Sequence, residues 1–385
     1  MTPRRRRPLV PPPTAVPTPP PARDAPLTPP PAQPLPPARD TTPRRALLAA
    51  PLLLAAAPAA PPPALYPADW AAFRARFLAP EGRILDTGNA NQSHTEGQGW
   101  ALLLAEATGD RAGFDRILGW TERTLRRRAD ALFAWRYRPG PGVDDPNNAT
   151  DGDLYIAWAL ARAARRWRAE PYARKAAAIG RDILRLLTRE AAGQTVLLPG
   201  LAGFEAEESV TLNPSYYVFP AFAALAALAP DPRWQALAAD GRALLRRARF
   251  GAYGLPPDWL TLPRDGGPPA IAAAWPPRFS FDAVRVPLLL AWGGFAADPA
   301  VSATLAFWGD PRFPEPPAWV DLATGATAGF ASSPGVRAIA ALARAAGGAP
   351  VALPQVVITD YYSTALMLLA RMAAQDLGLG LFPPR

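Results

Sequence analysis

Asn147-Asn148-Ala149-Thr150-Asp151-Gly152-Asp153 runs without a break into Leu154-Tyr155-Ile156-Ala157-Trp158-Ala159-Leu160-Ala161-Arg162-Ala163-Ala164-Arg165-Arg166-Trp167. The second part is apolar with helical periodicity, and the first is a polar loop ending in two carboxylates that flank a glycine. Backbone N–H groups and the macrodipole at a helix start favour negative charge, so capping accounts for one of these acids. It accounts less well for two acids, two asparagines and a threonine together. The stretch reads as a site carried on a rigid helical scaffold.

Segments of helical length recur from Tyr66 onward, separated by turns rich in Gly, Pro and Asp. The pattern predicts helices over 67–80, 95–108, 111–128, 151–169, 171–189, 214–229, 231–248, 280–296, 299–308, 334–346 and 359–375. Strand-like alternation is confined to 195–198 and 318–322. Antiparallel helices in this number describe an all-α toroid of helical hairpins better than a bundle or a parallel α/β sheet. No strict repeat of about 20–50 residues is visible, which argues against a solenoid.

The 385 residues, 49% of them hydrophobic, suffice for a sizeable core. Cysteine is absent, excluding disulfides, thiolate catalysis and thiolate-bound metals. The single histidine, His94, leaves little basis for a metal site or a Ser-His-Asp triad. Carboxylates remain as the chemists, and nothing calls for a metal or cofactor. The formal charge of +9 suggests nucleic acid until it is located: residues 1–45 hold eight arginines and two aspartates, leaving the rest at +3.

Residues 1–43 are mostly Pro, Ala, Arg and Thr and read as a disordered Pro-rich leader. Residues 44–62 read as a secretion signal: Arg44-Arg45, then the Ala/Leu run Ala46–Ala60 ending in small residues, with the paired arginines suggesting the twin-arginine type. The run is too short to span a bilayer, so no stable membrane span is expected after processing. A start codon downstream of Met1 would explain why the signal begins some forty residues in. Residues 64–378 are expected to form the catalytic domain, in a secreted or periplasmic protein.

Polar clusters mark four helix starts: Ser93-His94-Thr95-Glu96-Gly97-Gln98-Gly99-Trp100, where Thr95 is the expected cap; Asp151/Asp153; Asn213-Pro214-Ser215-Tyr216-Tyr217; and Phe281-Asp282-Ala283-Val284-Arg285. Asp282 and Arg285 are spaced to share a helix face. Aromatics accompany them, among them Trp135, Tyr137, Trp259, Tyr361 and Tyr362, and the chain has 12 tryptophans. Aromatic faces among carboxylates suit a sugar chain, because pyranose C–H faces stack on rings. Glycosidic hydrolysis needs two carboxyl groups, one protonated and one ionised.

At these residues the chain resembles glycoside hydrolase family 8, in particular the secreted endo-β-1,4-glucanases that accompany bacterial cellulose synthesis. Thr-Glu-Gly-Gln-Gly-Trp at 95–100 is similar to the family's Ser-Glu-Gly-Gln-x-Tyr-Gly-Met segment, and Ala-Thr-Asp-Gly-Asp-x-x-Ile-Ala-Trp at 149–158 to its signature. Asn-Pro-Ser-Tyr at 213–216, Pro-Asp-Trp at 257–259, Asp-Ala-Val-Arg-Val at 282–286 and Tyr-Tyr-Ser at 361–363 match in order. The resemblance implies an (α/α)6 barrel and an inverting mechanism, with Glu96 as general acid, Asp282 as general base and Asp151 holding the sugar at the cleavage point. Glu96 is then expected to have a raised pKa and Asp282 to stay ionised. The candidate sugar contacts are Trp100, Trp135, Tyr137, Asp153, Asn213, Tyr216, Trp259, Arg285, Tyr361 and Tyr362.

Three departures from the family pattern stand out: Trp100-Ala101-Leu102 for Tyr-Gly-Met, Phe281 for a tyrosine before the base, and Thr95 for serine. The implied substrate is β-1,4-glucan (cellulose), with a cellulose synthase export complex as the implied partner. Xylan, chitosan or mixed-linkage glucan on the same scaffold is the alternative within enzymes. A non-catalytic glycan-binding scaffold is the alternative outside them.

Overall fold

The computed structural model describes Leu65 and residues 67–379. The predicted leader and signal, 1–43 and 44–62, lie outside the described residues. The chain winds through α1 (Pro67–Phe77), α2 (Thr95–Thr108), α3 (Arg111–Leu125), α4 (Thr150–Trp167), α5 (Glu170–Leu186), α6 (Phe219–Ala226), α7 (Arg233–Arg247), α8 (Val286–Trp292), α9 (Pro299–Trp308), α10 (Pro334–Ala346) and α11 (Tyr361–Asp376). Helices α2, α4, α6, α8, α10 and α11 form an inner ring, and α1, α3, α5, α7 and α9 pack outside it. This is the (α/α)6 barrel the resemblance implied. Its sixth outer position has no helix among the described residues: 347–360 is irregular there, and Pro350 and Pro354 supply no N–H for a helical ladder.

Sequence separates the two rings. Inner helices are apolar all round, as in α2, where Gly97 to Glu106 is wholly buried, and in α11, buried from Ser363 to Ala374. Outer helices are amphipathic, as in α5, where Tyr172, Ala176, Ile179 and Ile183 turn inward and Arg174, Arg181 and Arg185 outward. Side-chain caps start helices of both rings, including Asp110 on Gly113 N–H for the outer α3 and Asp360 on Ser363 N–H for the inner α11. Across the inner ring, Trp158 of α4 meets Trp292 of α8 edge to face at 4.8 Å. Below them Arg162 bonds Glu106 at 2.6 Å and Asp376 at 2.7 Å, tying α4 to α2 and α11.

Helices α2 and α4 approach each other closely. A Cβ on Gly152 would overlap the Thr95 hydroxyl and stand 2.8 Å from the Glu96 nitrogen. The glycine between the two acids of the opening stretch is therefore a point where two inner backbones touch.

The helix predictions at 214–229 and 280–296 need correction. Each is a single 3-10 turn, Pro214–Tyr216 or Ala283–Arg285, followed by a shorter α-helix. The predicted strands at 195–198 and 318–322 exist as Gln194–Leu197 and Val320–Asp321. Missed were Thr188–Ala191, read as a helix end, and the three-stranded sheet of Ser209–Leu212, Leu260–Pro263 and Ala270–Ile271. These short sheets hang on the helical barrel and hold its loops in place.

Candidate active site

The starts of the inner helices gather at one end of the barrel around a single guanidinium. Arg285, 2% exposed, pairs through Nη1 with Glu96 and with Asp151 at 3.1 Å. Its Nη2 bonds Asp282 at 2.6 Å and the Ser215 hydroxyl at 2.9 Å. Four separate chain segments thus converge: the start of α2, the start of α4, and the two 3-10 turns before α6 and α8. Helix N-termini are suited to this, because their free N–H groups favour anions. The sharing of a helix face by Asp282 and Arg285 becomes a shared turn, with Asp282 at its N-terminal boundary.

The capping readings are overturned by the observed bonds. His94, not Thr95, caps α2, its Nδ1 accepting the Gly97 N–H at 3.1 Å. At α4 the boundary residue is Ala149, with no side-chain cap. Asp153 instead accepts from Phe133 N–H at 3.0 Å and Asn148 Nδ2 at 2.9 Å. It is fully enclosed, where these bonds hold the neighbouring loops. Trp100 and Tyr361 are enclosed as well. Trp100 has no exposed surface and packs between Tyr155 and Tyr361, beneath Arg285. Tyr361 turns toward Phe73 and Phe77 of α1.

Other aromatics stand at the rim. Trp259 is sandwiched between Trp275, at 4.5 Å and nearly parallel, and Phe204, at 5.7 Å. Tyr216 lies edge-on to it and under the Arg285 guanidinium. Tyr362 donates its hydroxyl to the Phe281 carbonyl, and Phe281 is exposed. Trp135 is held by Asp145 at 2.8 Å and covered by Arg136, while Tyr137 packs on Trp120, both beside the entrance to α2. Asn213 accepts from Ser215 N–H and hydroxyl through Oδ1, at 3.0 and 2.7 Å, which leaves its amide nitrogen facing Asp282.

Sequence reasoning missed Ser215, Phe204, Trp275 and the part played by Asp258. Ser215 and Asp258 were inside quoted motifs, and Trp275 lies in Trp-Pro-Pro, a recognisable loop signal. Two shallow depressions that meet at Leu228, one beside the far end of α4 and one between α5 and α7, hold none of these groups.

One cation serves many carboxylates here. Burial pushes the Asp151 carboxyl up to about 7. Burial, with Asp130 and Asp151 nearby, pushes Asp153 up to about 8. Asp282 is also raised well above the usual carboxylate range, by its enclosed setting and then by the charges of Asp258 and Asp151. The expected ionised state of Asp282 is therefore opposed by its surroundings, and Arg285 is the group that favours it. A carboxyl raised in the folded state binds its proton more tightly than the unfolded chain does. Its stabilising effect is full below about pH 4 and is lost as pH rises through about 7 to 8. The thermal midpoint should therefore fall between mildly acidic and mildly alkaline pH, and Asp153→Asn should make that fall shallower. A midpoint that is flat over this range in the parent chain would contradict the buried-acid account.

A helical barrel that collects paired acids and stacking rings at one end defines a carbohydrate-cleaving hydrolase. The chain belongs to the glycosyl hydrolases family 8, whose family model matches residues 42–376. It is 44% identical over 311 residues to a probable endoglucanase of Novacetimonas hansenii, covering 80% of this chain and 90% of that one. It is 44% identical over 277 residues to an endoglucanase of Cellulomonas uda, covering 70% and 75%. Among solved structures it is similar to an endo-β-1,4-glucanase from Acetobacter xylinum, with a TM-score of 0.75 and 43% identity, covering 80% of this chain and 98% of that one.

Proposed function

We propose that the chain hydrolyses internal bonds of β-1,4-glucan by inversion, with Glu96 as general acid, Asp282 as general base and Asp151 holding the sugar at the cleavage point. One observation carries the reading: Glu96 and Asp282 come from different helices and meet on opposite nitrogens of one buried guanidinium, Arg285. Glu96 gives its proton to the glycosidic oxygen as the C–O bond breaks. Asp282 takes a proton from the water that attacks the anomeric carbon from the other face. The Asp282 side chain is 32% exposed against 16% for Glu96 and 1% for Asp151, which suits the group that must meet water. Trp275 and Phe204, the outer rings of the Trp259 stack, supply faces for neighbouring sugars together with Tyr216 and Tyr362.

The relatives named endoglucanases support the glucan assignment. Its test is reducing-sugar release from carboxymethylcellulose, xylan and chitosan, with the product anomer read by NMR on a cello-oligosaccharide. Release from the cellulose derivative with an initial α-anomer is expected. Release from xylan or chitosan alone would overturn the substrate, and an initial β-anomer would overturn inversion.

Export belongs to the same proposal and rests on Arg44-Arg45 and the Ala46–Ala60 run. Exported protein should begin after Ala60; N-terminal sequencing that returns Met1 would refute this. Among the described residues no helix is long and apolar enough to cross a membrane. A cellulose synthase export complex is the partner this reading implies, and co-purification from membranes decides it.

A further inference from the structure

Asp258 is a buried carboxylate at the site that the proposed reaction does not use. It is 8% exposed, in the loop Pro257-Asp258-Trp259. Its Oδ1 accepts the N–H groups of Ser280 at 2.9 Å and Ala283 at 2.8 Å, and its Oδ2 is bonded to the Ser280 hydroxyl. Those two residues bracket Asp282, so the turn that carries the proposed base is wound around the Asp258 carboxylate. The loop is itself anchored. Asp258 N–H donates to the Arg278 carbonyl at 2.8 Å, and the next residue is the centre of the Phe204–Trp259–Trp275 stack.

We propose that Asp258 is a positioning residue: it fixes the Ser280–Ala283 turn so that Asp282 faces the sugar, and it places a second negative charge behind Asp282. The inference rests on the assignment of Asp282 as base. Asp282 is faced by Asp258 from this loop, Asp151 from α4, Arg285 from its own turn and Glu96 across the guanidinium. Tyr216, Tyr362, Asn213 and Trp259 complete its surroundings. Burial raises the proton affinity of Asp282, the Asp258 charge adds to it, and Arg285 opposes both. Burial raises Asp258 too, but the N–H donors gathered on it favour its ionised form.

The test is the pH profile of kcat and KM on a soluble β-1,4-glucan for the parent chain, Asp258→Asn, Ser280→Ala and Asp282→Asn, with folding followed by circular dichroism. Asp258→Asn should lower kcat about tenfold or more with little change in KM, because the base is misaimed by a fraction of an ångström. It should also move the acidic limb of kcat to lower pH by roughly half to one unit, because a like charge beside Asp282 is gone. A limb that stays in place in folded Asp258→Asn would overturn the proposal. If that variant does not fold, Ser280→Ala decides: it loses one anchor and keeps the charge, so a several-fold lower kcat with an unmoved limb supports the proposal, and an unchanged kcat overturns it. Asp282→Asn separates the two levels, since retained hydrolysis there would remove the base assignment itself.

Discussion

Asp282→Asn and Glu96→Gln are each expected to lower kcat on soluble β-1,4-glucan by about a thousandfold or more, and Asp282→Asn should leave the protein at least as stable as the parent chain. The first part follows from the chemistry. General acid or base groups contribute on the order of 10²–10⁴ to rate, and inversion offers neither group a substitute. The second part follows from crowding. Burial, and then the charges of Asp258 and Asp151, disfavour an ionised Asp282, while Arg285 pairs with it at 2.6 Å. An isosteric amide removes the repelled charge and keeps the shape, so at neutral pH the thermal midpoint should hold or rise. Loss of activity without loss of stability is the signature of a strained functional group. Substantial hydrolysis by either variant would show that the pair is misassigned. A sharply lower midpoint for Asp282→Asn would show that its ion pair outweighs the repulsion.

The helices were legible because this fold writes them twice. Outer segments such as α5 show the 3.6 period, and inner segments such as α2 and α11 are apolar runs too long for strands. The hairpin Thr188–Ala191/Gln194–Leu197 was hidden for a local reason. Its turn places Ala192 at φ 54° and Gly193 at φ 68°, and alanine in the left-handed region does not announce a hairpin as Asn-Gly would. The sheet joining Ser209–Leu212 to Leu260–Pro263 is a non-local pairing that no periodicity within either strand specifies.

The site divides along similar lines. Glu96, Asp151, Asp282 and Arg285 were readable because polar groups at the starts of apolar helices are out of place unless used. Which way a neighbour faces was not readable. Trp100 sits four residues after Glu96 and Asp153 two after Asp151, yet both point into the protein. Asp258 is 22 residues from Ser280 in sequence, so its role exists only once the loops are folded against each other.

Arg285→Leu is expected to cost both activity and stability, with the stability loss growing as pH rises. The guanidinium is the only cation that bonds Glu96, Asp151 and Asp282 together among the described residues. Without it these carboxyls stay enclosed and uncompensated, and breaking a buried ion pair from one side costs about 3–5 kcal/mol. The cost is not the same at every pH. Asp151, already pushed up to about 7, would be raised further, so at about pH 5 the acids take up protons and much of the penalty disappears. At about pH 7.5 they must either ionise without a partner or hold protons against the solvent, and the full penalty returns. Urea midpoints for the variant and the parent chain should therefore lie close together in mild acid and diverge toward neutrality. Arg285→Lys should recover part of the stability, since it restores a charge. It should recover little activity, because one ammonium cannot present the separate nitrogens that hold Glu96 apart from Asp282 and Ser215. An equal loss at both pH values would mean that Arg285 acts by filling space, and wild-type kcat in the lysine variant would mean that its fork does not set the geometry of the acids.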